Sequence, residues 1–151
     1  MNRTRLAGFL VSTTLLLSGF ARADGPALVR VDRAGPGDRD ALVAAGVPLV
    51  LEQERLFLAL GDAPAIRQRL QSLGRTGVVV DPDTTGSSYY VAGLRPGATA
   101  GDLATSCGEL LVVEDGWALL RTPGELGDPC VDSTKWFLRR APMEPLRPTA
   151  P

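Results

Sequence analysis

The residues that could carry out catalysis are few in this chain. It contains no histidine, which excludes the serine–histidine and cysteine–histidine pairs of nucleophilic catalysis and any metal held by histidine. Closely spaced carboxylates occur at Glu52 and Glu54, and at Glu114 and Asp115. Each pair is expected at a hairpin tip, where water solvates the carboxylates, whereas a general acid needs a buried carboxyl group. The sequence therefore predicts no enzymatic activity, no cofactor and no metal ion.

The first 23 residues have the features of a secretory signal peptide. Arg3 and Arg5 precede an apolar run over residues 6–20, which is shorter than the ~20 residues of a comfortable membrane span. Residues 21–23 (Ala-Arg-Ala) have the small-x-small pattern of a cleavage site. The mature chain would begin at Asp24 and be secreted or periplasmic, and an uncleaved membrane anchor is the alternative.

The two cysteines are the remaining reactive side chains. Cys107 and Cys130 would close a loop of 23 residues, and a disulfide across such a loop stabilises by roughly 3 kcal/mol on the chain-entropy model. Export to an oxidising compartment favours this disulfide. Two free thiols and a redox-active pair are the alternatives, although the spacing is not Cys-x-x-Cys and no histidine could complete a zinc site.

The charge of the mature chain limits its partners. Cleavage would remove three arginines and leave 13 basic against 17 acidic residues, a net charge near −4. Such a chain is a poor ligand for nucleic acid, whose binding depends on neutralised phosphates. Arg139 and Arg140 form the one adjacent basic pair, so an anionic membrane surface is not predicted either. A protein is the expected partner.

An internal repeat organises the rest of the sequence. Residues 27–61 align without a gap on residues 89–123, an offset of 62, with about nine identities in about 35 positions. Val29 meets Val91 and Leu58 meets Leu120 in this alignment. We therefore predict a tandem duplication, with a first unit at 24–82 and a second at 89–140.

Each unit is predicted to run β-α-β-β-α-β, the split unit of ferredoxin-like folds, in an α+β protein. In the first unit, hydrophobic periodicity and turn residues predict strands at 27–32, 48–52, 55–60 and 77–80, and helices at 38–45 and 62–73. In the second unit they predict strands at 89–94, 109–114, 117–122 and 135–140, and a helix at 99–107. The second helix of this unit is degenerate, because Pro123, Gly124, Gly127 and Pro129 occupy its place.

The two remaining segments are predicted to be linkers. Residues 83–88 have turn and linker composition. Residues 141–151 carry four prolines, at 142, 145, 148 and 151, which favours an extended, semi-rigid tail.

The aromatic residues of the second unit are the candidate contact residues. Its predicted strands hold Tyr89, Tyr90, Trp117 and Trp136, with Arg139 beside them. In a split β-α-β-β-α-β unit the helices cover one face of the sheet and leave the other open, and interfaces favour Trp, Tyr and Arg. We therefore predict partner binding by these five residues. The alternative is that the aromatic rings pack the two units together or fill the core.

Several segments together resemble the N-terminal, non-catalytic region of secreted bacterial zinc peptidases, in particular the leucyl-aminopeptidase-like enzymes. They are a secretion signal, the strand Leu28–Asp32, a helix ending at Ala45–Gly46, and the segment Asp62–Leu73 followed by Val78–Pro82. The resemblance implies a pro-region or accessory domain that assists the folding of a catalytic domain or masks its site, with the proline-rich tail as the connection. The zinc ligands of such enzymes have no counterpart here, so no catalytic residue is carried over. The alternative is a stand-alone secreted peptidase inhibitor or regulator of the same fold.

Overall fold

The computed structural model describes residues 25–101, 103, 108–126 and 133–149. Within these residues the protein is α+β, with two helices and two four-stranded antiparallel sheets. In chain order, the elements are β1 (Ala27–Asp32), α1 (Asp38–Ala44), β2 (Leu49–Glu52), β3 (Leu56–Gly61), α2 (Ala63–Ser72), β4 (Val78–Asp81), β5 (Ser88–Leu94), β6 (Glu109–Glu114), β7 (Trp117–Thr122) and β8 (Trp136–Ala141).

The two sheets have corresponding strand orders. The first sheet runs β2-β3-β1-β4 and the second runs β6-β7-β5-β8, with antiparallel pairing throughout. The edge strands are therefore β2 and β4 in the first sheet, and β6 and β8 in the second. Of the helix predicted at 99–107, Ala100, Gly101 and Leu103 are helical and the remainder lies largely outside the described residues.

Local sequence accounts for α2, the longer helix. The Asp62 carboxylate accepts a hydrogen bond from the backbone N–H of Ala65 at 3.0 Å and so caps the helix start. Pro64 lies in the first turn, where its missing N–H costs no helical bond. Ile66 and Leu70 form a buried stripe against the first sheet. Gly74 ends the segment with a φ of 66°, which glycine adopts most readily.

The inner faces of the two sheets pack against each other. Buried side chains from both sheets form one apolar cluster, to which the first sheet contributes Leu28, Val50, Leu51, Leu56 and Leu58, and the second contributes Tyr89, Val91, Val112, Leu119 and Ala141. The outer face of the first sheet packs on α1 and α2, and the outer face of the second packs around Leu103. The sheet faces that the helices leave uncovered are therefore largely buried by each other.

The strand register relates the two sheets by 61 residues rather than 62. In the first sheet, Leu56 begins β3 and pairs with Asp32. In the second sheet, Trp117 begins β7 and pairs with Gly93. Both residues of the second pair lie 61 positions after their counterparts in the first. The irregularities in the β2–β3 and β6–β7 ladders, at Leu49/Leu51 and Leu110/Val112, are also 61 positions apart.

Side-chain alternation explains why the ungapped alignment was wrong by one residue. An offset of 62 matches Val29, which faces the helices, with Val91, which faces the other sheet. An offset of 61 matches Leu28 with Tyr89, and both lie between the sheets. Since a shift of one residue moves every strand side chain to the opposite face, only the shorter offset superimposes the two sheets.

The proline-rich tail folds back on the first unit. Residues 142–149 contain no helix or strand, as expected for a linker, yet Met143 packs on the cluster between the sheets and Leu146 packs on the cluster under the helices. The Leu146 N–H donates a hydrogen bond to the Leu49 carbonyl in β2 at 2.7 Å, and Arg39 donates to the Arg147 carbonyl at 2.7 Å. The tail is thus docked on the first sheet and its helices rather than a free connection.

Candidate protein-binding surface

A buried polar cluster joins the two units. The carboxylate of Asp81, fully buried at the end of β4, accepts hydrogen bonds from the Tyr89 hydroxyl at 2.6 Å and from Arg121 at 3.0 Å. The backbone N–H of Asp83 donates a third bond, at 3.1 Å. Burial, together with the nearby Asp81 carboxylate, raises the pKa of Tyr89 above its ordinary value. Because Tyr89 is only 4% exposed, its ring and hydroxyl serve contacts inside the chain.

A second ion pair crosses between the sheets near the hairpin tips. Arg30 of β1 contacts Glu114 of β6 at 2.7 Å, and the Glu114 side chain is mostly buried. The sequence predicted a solvated carboxylate at this position, and the position is instead covered because the two sheets stack. This carboxylate is therefore matched by a cation, whereas its neighbour Asp115 is exposed in the turn.

Two further aromatic residues predicted as contact residues lie in the interior of the second unit. Trp136 is 4% exposed and packs with Leu103 and Leu120 on the outer face of the second sheet. Tyr90 packs partly on the same cluster, and its hydroxyl accepts a hydrogen bond from the Leu126 N–H at 3.2 Å. For both, and for Tyr89, the structure favours the packing interpretation that the sequence left open.

The other two predicted residues, Trp117 and Arg139, lie on the face of the second sheet that is turned toward the first sheet. Arg139 is exposed, whereas Trp117 packs partly on the cluster between the sheets. Gly93 of β5 stands directly between Trp117 of β7 and Phe137 of β8 in the register. Trp117 is half-buried, whereas Phe137 is 59% exposed. The Phe137 ring lies on the Gly93 backbone so closely that a methyl group at Gly93 would overlap it. The glycine is therefore required by the ring above it.

Basic residues frame the exposed ring. Phe137 and Arg139 alternate in β8 and so share one face, and Lys135 is the turn residue that immediately precedes the strand. Both Lys135 and Arg139 are exposed, and neither takes part in an ion pair among the described residues. The Arg95 guanidinium lies 5.8 Å from the centre of the Phe137 ring, within the range of a cation–π contact. We define the β8 surface as Gly93, Trp117, Lys135, Phe137 and Arg139.

Sequence reasoning missed Phe137, the most exposed aromatic ring of this surface. Two signals could have found it. Trp136, Phe137 and Leu138 are three consecutive apolar residues in a strand, so the middle one must face away from its neighbours. Gly93 in the interior of β5 also indicated that something approaches the backbone closely at that point.

A cleft of about 530 Å³ lies beside the joint between the units. Hydroxyl groups of Thr84, Ser87 and Ser88 line it, with Met143 supplying an apolar wall. Arg140 and Glu144 place opposite charges at its boundary. Such a lining offers hydrogen bonds without a nucleophile–base pair.

Several sequence predictions concern residues that the structure does not describe. Cys107 and Cys130 both lie outside the described residues, as do residues 1–24. Among the residues described, no cluster of three or more Cys, Asp or Glu side chains could hold a metal ion. No helix within them has the length and apolar character needed to cross a membrane.

Comparisons with protein-family models, with curated proteins and with solved structures each found no significant match to this chain. The chemistry of its own surfaces is therefore the guide to its function.

Proposed function

We propose that this chain is a non-catalytic, secreted binding module that acts through protein–protein contact at the β8 surface. The observation that carries the proposal is the exposure of Phe137 beside Trp117 and Arg139. Aromatic and arginine side chains are the residues that contribute most to binding at protein interfaces. In a chain with 17 acidic and 16 basic residues, this surface is locally basic, which favours an acidic protein partner.

We also propose that the fold is a tandem duplication of a ferredoxin-like unit, related by the 61-residue offset. The element order of the first unit and its strand order β2-β3-β1-β4 support this proposal. The second sheet has the corresponding order, and Leu42 and Leu103, 61 positions apart, are buried at equivalent helical positions. Nothing in the described part of the second unit replaces α2.

The proposed partner class is a secreted zinc peptidase of the leucyl-aminopeptidase-like type, for which this chain would be a pro-region or accessory module. Support for this class comes from the sequence resemblance alone. A stand-alone peptidase inhibitor is the alternative and would use the same surface. Lowered peptidase activity fits an inhibitor or a pro-region that masks the site, whereas unchanged activity fits a module that assists folding.

The test uses the chain exported with its own signal and purified from the export compartment. Intact-mass spectrometry would report signal cleavage and the two-hydrogen loss of a Cys107–Cys130 disulfide. Calorimetric titration into secreted zinc aminopeptidases should give saturable binding to at least one. Phe137→Ala should weaken that binding at least tenfold, whereas Val113→Ala, a 52% exposed apolar residue on another edge strand, should not. Equal effects of the two variants, or no binding to any such enzyme, would contradict the proposal.

A further inference from the structure

The strand β8 is the most regular edge of the two sheets. Each of the other three edge strands, β2, β4 and β6, carries a register irregularity where it pairs with its neighbour. The β5–β8 ladder runs without interruption from the pair Tyr89–Ala141 to the pair Leu94–Trp136. Bulges are one of the devices by which proteins prevent an edge strand from pairing further, and β8 lacks that device.

The outer edge of β8 also has no strand beside it among the described residues. The edge strand β2, by comparison, receives the tail, because Leu146 donates its N–H to the Leu49 carbonyl. No proline occurs in Trp136–Ala141, so every residue of the strand keeps its backbone donor. An edge strand with an uninterrupted register of this kind is a template for an added strand.

The side chains beside this edge indicate the chemistry of the segment that would bind. Phe137 and Arg139 share one face of β8, and Lys135 adds a second exposed cation in the turn just before the strand, so the order along this edge is basic, apolar, basic. An added strand presents its own alternate side chains to these residues. The complementary segment has an acidic, an apolar and an acidic residue at alternate positions, and this pattern reads the same in parallel and antiparallel orientation.

We propose that the partner contributes an extended acidic–apolar–acidic segment that pairs with the outer edge of β8 as a fifth strand of the second sheet. This inference rests on the proposed function, since it names the partner segment of the β8 surface. A second copy of this chain is the less suitable occupant. Pairing two β8 strands would place two sets of Lys135, Arg139 and Arg140 side by side, and like charges on neighbouring strands repel.

The probe for this inference is a defined peptide, Thr-Glu-Thr-Val-Thr-Glu-Thr, with Thr-Lys-Thr-Val-Thr-Lys-Thr as its charge-reversed control. Titration of the exported chain followed by amide NMR should show saturable shifts confined to β8 and β5 with the acidic peptide. Binding of the lysine peptide should be at least tenfold weaker. The double variant Lys135→Gln with Arg139→Gln should lose the shifts. The matched variant Arg140→Gln, on the opposite face and paired with Glu125, should retain them.

Backbone pairing is tested with two N-methylated forms of the acidic peptide, methylated at odd or at even positions. Each form blocks one edge of the peptide and keeps its charge, so one form should bind and the other should not. Equal binding of both forms would overturn strand addition, as would the absence of β8 shifts up to about 1 mM peptide. If the peptide fails while a protein partner still binds in a Phe137-dependent manner, this inference fails and the proposed function stands. If the peptide pairs with β8 but Phe137→Ala leaves partner binding unchanged, strand addition to β8 stands and the proposed binding of the partner at Phe137 fails.

Discussion

The hydroxyl of Tyr89 donates a 2.6 Å hydrogen bond to the carboxylate of Asp81, and this bond crosses from the second sheet to the first. The two residues are eight positions apart in the chain. The loop between them is itself held in place, because Thr84 donates from its N–H and its hydroxyl to the Pro26 carbonyl. The joint between the units is thus fixed by polar contacts on both of its sides. Such contacts matter because a buried carboxylate is tolerated only when its oxygens are satisfied.

Removing the buried carboxylate should cost more than removing either of its donors. Asp81→Ala should lower the free energy of unfolding by about 3 kcal/mol, because Arg121 and the Tyr89 hydroxyl both lose their acceptor. Tyr89→Phe should cost about 1 kcal/mol, and the double variant should cost less than the sum. Urea unfolding monitored by tryptophan fluorescence measures all three. Glu54→Ala, at an exposed hairpin tip, is the control, and an Asp81 variant as stable as this control would contradict the prediction.

The stability of the protein should fall at alkaline pH in a manner that depends on Tyr89. Burial and the Asp81 carboxylate raise the pKa of Tyr89 above its ordinary value near 10. Above pH ~10 the unfolded chain loses this proton while the folded chain retains it, so the contribution to stability is complete below that pH and is lost as pH rises toward the folded pKa. Urea midpoints between pH 8 and pH 12, a range chosen about that ordinary pKa, should decline more steeply in the wild type than in Tyr89→Phe. A decline in Tyr89→Phe as steep as in the wild type would mean that Tyr89 is not the responsible group.

The docked tail should contribute to stability. Leu146 packs on the cluster formed by the first sheet and its helices, and its N–H reaches the Leu49 carbonyl. Leu146→Ala should lower the free energy of unfolding by about 1 kcal/mol, since the side chain is only half-buried. Pro148→Ala, an exposed position in the same tail, should leave it unchanged. A Leu146 variant that unfolds at the wild-type urea concentration would indicate that the tail does not hold the first unit.

Strands and helices were largely predictable from the sequence because their signals are local. The predicted strands at 27–32, 109–114 and 117–122 coincide with β1, β6 and β7, and the helix predicted at 62–73 is α2 within one residue at each end. These predictions rest on alternating apolar residues in the strands, and on Asp62 and Gly74 as the start and end signals of the helix. The Cys107–Cys130 disulfide stays a prediction, since both residues lie outside the described part of the chain.

The binding surface was less predictable because it depends on how the sheets stack. The sequence places five aromatic residues in the predicted strands of the second unit, but only the packing of one sheet on the other decides that Tyr89 is buried and Phe137 is exposed. The one-residue error in the repeat has the same origin. Val29 and Val91 are identical and therefore match in a sequence alignment, but Val29 faces the helices and Val91 faces the other sheet. Which face a strand residue occupies is settled by long-range contacts that a pairwise alignment does not contain.

The close approach of Phe137 to Gly93 should appear as an energetic coupling between the two positions. Gly93→Ala should destabilise the protein by about 1 kcal/mol, the lower end of overpacking costs, because the added methyl group overlaps the Phe137 ring and this exposed ring must move. In a Phe137→Ala background the three atoms nearest to the added methyl group are gone, so the same substitution should cost less, since alanine suits a strand better than glycine. A double-mutant cycle of urea unfolding measures the coupling, with Gly35→Ala as the control because no atom lies within 4 Å of a methyl group there. Equal costs of Gly93→Ala in both backgrounds would mean that the Phe137 ring does not rest on Gly93. That result would contradict the position of Phe137 on the β8 surface.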